Sequence, residues 1–93
     1  MTCKVIAEWN MKDGKAADLV KDCRGLVPVT RTFDGCIMID VSIAQDEQNS
    51  VIMTEEWASK EHHLAYMKFR TEDGTVAHLM TILTGPPKFT YCE

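Results

Sequence analysis

Apolar and polar residues alternate from Cys3 to Asn10, with Cys3, Val5, Ala7 and Trp9 on one side and Lys4, Ile6, Glu8 and Asn10 on the other. A period of two sustained that long predicts a β-strand. Asp13-Gly14 breaks it. Beyond the break Ala16, Leu19, Val20, Cys23 and Val27 recur at helical spacing, which predicts a helix with one buried stripe. Gly25 weakens its last turn, and Pro28 is expected to end it. Thr30 to Gly35 is turn-rich, and a second strand follows over 36–44, with Ile37, Ile39, Val41 and Ile43 on one face. The polar stretch 45–50 connects it to a third strand, which begins at Val51 and closes on Trp57. Ser59 is a good N-cap for a second helix reaching about Arg70. After Asp73-Gly74, residues 76–83 predict a third, shorter helix; Gly85-Pro86-Pro87 stops it, and 88–92 form a closing strand.

The order strand, helix, strand, strand, helix, short helix, strand is the split βαβ pattern of ferredoxin-like α+β folds. It predicts a four-stranded antiparallel sheet with its helices on one side. No repeat or linker interrupts it, so residues 1–93 read as one domain. The strands carry apolar residues on both faces, with Ile6 opposite Val5 and with Met38 and Met53 opposite isoleucines. A sheet with one solvated face has no need of that, and no helix is left over to cover the second face. A homodimer packed sheet against sheet is therefore expected.

Charge removes two classes of partner. Ten basic against fourteen acidic residues give a net charge of −4, and no basic cluster exists, so neither nucleic acid nor an anionic membrane is expected as a partner. No segment has the apolar length of a signal peptide or a membrane span, and a cytoplasmic location is expected. Cys3, Cys23, Cys36 and Cys92 are scattered without a CxxC pair, which disfavours a structural zinc site; they are expected to be reduced. Cys3 and Cys92 fall on strands expected to be neighbours, so a redox pair stays open there.

The chemistry concentrates between Trp57 and Arg70. On a wheel of 100° per residue, His62, Ala65, Tyr66 and Phe69 share one face of the second helix. That face is taken as the inward one. His62 then sits among aromatics, where a group that titrates near neutrality is a ready proton acceptor. His63 falls on the flanking stripe, at a pocket rim or in solvent. Tyr66 and Arg70 are candidate donors to ligand oxygens, Trp57 and Phe69 candidate walls, and Asn10 and His78 candidate contacts from other elements. Each has an ordinary reading beside it: a satisfied core-edge histidine, a packing tryptophan, a turn-capping asparagine. Glu55 and Glu56 point to opposite faces, so they are not an acid/base pair. Adjacent histidines on a helix point about 100° apart and cannot chelate one ion, and neither a metal motif nor a glycine-rich phosphate cradle is present. No metal and no cofactor are expected.

Five short motifs follow one another along the chain: Lys12-Asp13-Gly14-Lys15, Thr30-Arg31 leading to Gly35-Cys36, Glu55-Glu56-Trp57-Ala58-Ser59, Glu61-His62 and Gly85-Pro86-Pro87. In that order they make the chain resemble the antibiotic biosynthesis monooxygenase family of small dimeric α+β barrels. Many members place a histidine about where Tyr66 stands here; this chain has His62 and His63 a turn earlier. The resemblance implies cofactor-independent oxygenation of phenols, quinols or polycyclic aromatics by deprotonation and direct reaction with O2. His62 would be base or donor, Tyr66 and Arg70 donors, and Trp57 with Phe69 the walls. The same barrel hosts haem-degrading enzymes, but their tryptophan position falls at Lys68 here and their asparagine position near Ala7. An isomerase or signal-molecule enzyme, and a non-catalytic ligand-binding dimer, are the other readings of this pattern.

Overall fold

The computed structural model describes residues 2–93. Its elements run β1 (Cys3–Asn10), α1 (Ala16–Thr30), β2 (Cys36–Ile43), β3 (Ser50–Trp57), α2 (Lys60–Glu72), α3 (Thr75–Met80) and β4 (Lys88–Cys92). The four strands form an antiparallel sheet in the order β2-β3-β1-β4, the ferredoxin-like arrangement that the sequence pattern predicts. β1 and β3 are central, and there the alternation is cleanest. Val5, Ala7 and Trp9 are buried beside Val51, Met53, Glu55 and Trp57. From the helix side, Leu19 and Val20 of α1 and Leu79 of α3 close the core. Each such aliphatic side chain contributes about 1.5–3 kcal/mol when fully withdrawn from water.

Three local expectations need correcting. Pro28 does not end α1, which continues to Thr30. The missing proline N–H removes one hydrogen bond near the end of the helix, and Arg31 N–H caps the last turn on the Val27 carbonyl at 2.9 Å. In β2, the register with β3 shifts between Cys36 and Met38, so Ile37 is an inserted residue. It is exposed instead of sharing the inward face of Ile39 and Val41. Finally, Cys92 pairs with Lys4, whereas Cys3 lies on the Val5 side of β1, so the two thiols project from opposite faces and cannot bridge. All four cysteines are free.

Among the described residues no helix covers the outer face of the sheet. Ile6 sits there with Thr54 and Thr90 across the strands, and Met38 and Ile52 flank it. Among the described residues no helix is long and apolar enough to cross a membrane.

Candidate active site

Helix α2 begins as its sequence dictates: Ser59 is the N-cap, and its Oγ accepts from the His62 backbone N–H at 3.2 Å. The helix is nevertheless turned by about one residue from the expected wheel. Its inward stripe is His63, Tyr66, Met67 and Arg70, at i, i+3, i+4 and i+7, and not His62, Ala65, Tyr66 and Phe69. That stripe contains a single aliphatic residue, so hydropathy could not identify it.

His62 therefore does not enter the interior. Its side chain is 37% exposed, with Nδ1 at 2.6 Å from Ser59 Oγ and Nε2 at 3.8 Å from the exposed carboxylate of Asp34. The ring lies over Gly35, where a Cβ would collide with it. His62 is part of the helix cap. His63, expected at a rim or in solvent, is fully buried instead. Its Nδ1 lies 3.0 Å from Tyr91 Oη, while Nε2 has no hydrogen-bond partner and faces Glu55 Oε1 at 3.8 Å. Burial depresses the imidazole to a pKa of about 4, so it is neutral at physiological pH.

Glu55 is the residue that sequence reasoning passed over. It occupies an inward position of a central strand, 3% exposed, and Trp57 Nε1 donates to its Oε1 at 2.9 Å. Burial raises its pKa, and the Trp57 hydrogen bond opposes that rise. A carboxylate so placed is a stronger base than one in water. A carboxylate breaking the apolar alternation of β3 was the available signal.

The Glu55 side chain borders a cavity of about 70 Å³ between the sheet and the helices. Trp9, Met53, Leu79 and Phe89 supply apolar wall, and Thr30, Tyr66 and Arg70 supply polar groups. These three are bonded to one another. Arg70 Nε donates to Tyr66 Oη at 3.0 Å, Arg70 Nη2 donates to Thr30 Oγ1 at 3.2 Å, and the two hydroxyls are 3.2 Å apart. One hydroxyl must donate to the other, so of their two hydrogens one is left over for a ligand oxygen. Asp73 holds the far side of the guanidinium at 3.1 Å. Trp9 also borders the space, and its buried indole N–H has no hydrogen-bond partner. Cys23 also borders the space, but burial, and secondarily Asp22, pushes its thiol up to about 11, so it is no nucleophile at neutral pH.

Of the other candidates, Tyr66 and Arg70 are in the cavity wall. Trp57 is fully buried behind it, packed between Phe33, His63 and Tyr66. Phe69 is 45% exposed and stacks on Phe33, outside the cavity. Asn10 is exposed on the outer side of β1, and His78 is exposed on α3 beside a different hollow bordered by Lys15 and Asp22. Neither reaches the site. Among the described residues, no three His, Cys, Asp or Glu side chains converge in a metal-binding group.

The profile of the antibiotic biosynthesis monooxygenase family matches residues 2–78, and the chain belongs to that family. Among solved structures, a conserved protein from Methanosarcina mazei is similar over 100% of this chain and 92% of its own, at 18% identity and a TM-score of 0.86. A structure described as an antibiotic biosynthesis monooxygenase is similar over 98% and 96%, at 19% identity and a TM-score of 0.83. A Mycobacterium tuberculosis protein is similar over 100% and 94%, at 21% identity and a TM-score of 0.75. At such identities the likeness speaks for the fold. No curated protein matches the chain in sequence.

Proposed function

We propose that the protein is a cofactor-independent monooxygenase of phenolic or quinol-type small molecules, with Glu55 as the base. The observation that carries this reading is that a buried carboxylate and a hydroxyl–guanidinium donor set border the same apolar cavity. Glu55 takes a proton from an acidic ring position, and the electron pair stays on the ring system. The resulting charge, delocalised onto the substrate oxygen, is met by the spare hydroxyl hydrogen of Thr30 or Tyr66 under the field of Arg70. The anion passes one electron to O2, and the radical pair collapses to a C–O bond. For a CH2 group oxidised to C=O, one oxygen atom stays on carbon and the other leaves as water, taking the second hydrogen from carbon and one proton returned from solvent in place of the one Glu55 removed.

The cavity volume bears on the substrate. A space of about 150 Å³ takes one benzene ring, roughly twice what is present here. Entry of a ring therefore requires the outer wall, made by Leu26, Met67, Thr75 and Val76, to move outward. Gly74 starts α3 at φ 89°, a left-handed position at the root of that wall. The bare outer face of the sheet, with Ile6, Ile52 and Met38, supports a homodimer covering it with a second copy.

Oxygen uptake with a panel of hydroxyanthrones and small quinols tests the reading. One O2 consumed per substrate by the wild type, and at least a hundredfold slower uptake by Glu55→Gln, is expected. No uptake with any member of the panel would overturn it.

A further inference from the structure

Behind the base, a buried row of polar side chains leads away from the cavity. Glu55, His63 and Tyr91 are consecutive in space, with gaps of 3.8 Å and 3.0 Å. Glu55 and His63 are both sealed from water, and His63 does not border the cavity, so its imidazole cannot touch a ligand there. Tyr91 is only half-buried. It opens on a separate surface hollow formed by Thr2, Cys3, Ser59, Lys60, Cys92 and Glu93. The row thus joins the cavity floor to a second, wet surface of the molecule.

An unpartnered nitrogen on a fully buried imidazole is the unexplained feature of this core. Burying such a group without a partner is unfavourable. A packing role would be served by a leucine or phenylalanine. We infer that His63 and Tyr91 form a proton exit for Glu55, carrying the substrate's proton to the Lys60 side of the molecule while the substrate fills the cavity. This rests on the reading of Glu55 as the base. His63 and Tyr91 are positioning residues in it, acting through Glu55 and not on the substrate.

The transfer balances without any redox step. The protonated Glu55 carboxyl gives its proton to His63 Nε2, the His63 Nδ1–H proton passes to Tyr91 Oη, and the Tyr91 hydroxyl proton leaves to water in the outer hollow. One proton enters the row and one leaves, which leaves His63 as the Nε2–H tautomer; the return of one proton along the same row in the opposite direction, to Glu55 and on to the substrate peroxide, restores the Nδ1–H form. The 3.8 Å gap is about 0.6 Å beyond hydrogen-bond range, within reach of a small carboxyl movement. Desolvation keeps His63 from holding the proton as a stable imidazolium, which suits a conduit. The charged and titratable groups around the row are Cys36 near Glu55, itself under the influence of Arg31, and Cys3 and Lys60 near Tyr91, with the Lys60 Nζ 4.6 Å over the Tyr91 ring. A cation at the mouth opposes a resident proton and favours its release.

The test has two readouts, and Tyr91→Phe is the decisive variant because it removes only the outermost oxygen. In dilute buffer its kcat should fall about tenfold with KM unchanged, and high concentrations of a small buffer such as imidazole should restore it. An unchanged kcat, or a loss that no buffer rescues, overturns the exit. The second readout needs no turnover: the 15N resonances of His63 should report an Nδ1–H tautomer with a free Nε2, and Nε2 should shift in Glu55→Gln. No shift overturns the coupling. Should the wild type oxidise nothing while Nε2 still responds to Glu55, the monooxygenase reading fails and the proton-sharing row stands.

Discussion

Arg70, near the end of α2, donates to the hydroxyl of Thr30, the last residue of α1, across 3.2 Å. Forty positions separate them in sequence. Together with Tyr66 they make a donor set that neither helix builds alone.

Removing the guanidinium with Arg70→Leu should lower kcat/KM by about 10²–10³, the loss typical of one preorganised donor to a developing oxyanion. Thr30→Val should cost about tenfold, because Tyr66 Oη keeps its bond to Arg70. Steady-state kinetics on the two variants checks the ranking. Equal losses would mean that Thr30 meets the substrate directly.

Trp9→Phe separates binding from stability. The indole N–H is buried without a partner, so its removal should leave the unfolding midpoint unchanged or slightly raised. Ligand affinity should fall about tenfold, as one donor to a substrate oxygen is lost. Calorimetric titration with a non-reactive quinone, beside thermal unfolding, measures both.

The family resemblance, the strand order and most element boundaries were legible in the sequence, because β1 and β3 alternate cleanly and Ser59 is a strong cap. The site was only half legible. His62 drew attention because its face carries Tyr66 and Phe69, whereas the true inward stripe replaces Phe69 by Met67 and Arg70 and contributes His63. A helix whose buried face is made of chemically active groups gives hydropathy nothing to find. Thr30 was hidden by a sound rule about Pro28, which fails where only two residues of the helix remain after the proline. Glu55 was set aside by asking only whether Glu56 was its partner.

His62→Ala should therefore leave turnover within about twofold of wild type. Ser59 still caps the helix, so stability should change by no more than about 1 kcal/mol. Gly35→Ala should be far more damaging. Its φ of 83° and the imidazole above it together should cost roughly 1–3 kcal/mol. Urea unfolding of the pair distinguishes a cap from a catalytic site.

His63 makes stability depend on pH. Its folded pKa of about 4 lies below the unfolded value near 6.5, so the unfolded chain binds the extra proton between those limits. The contribution is complete above pH 6.5 and is lost as pH falls towards 4, by roughly 3 kcal/mol in all. Glu55, shifted upward, opposes this over the acid end of the window. Urea midpoints at pH 7, 5.5 and 4.5 should fall for the wild type and be flatter for His63→Phe.

Because the hydrogen-bonded set of Thr30, Tyr66 and Arg70 ties α1 to α2, it doubles as a strain gauge for how those helices seat on the sheet. Warming should unseat them before the strands part. Enzymatic function would then fade several degrees below the temperature at which circular dichroism registers melting.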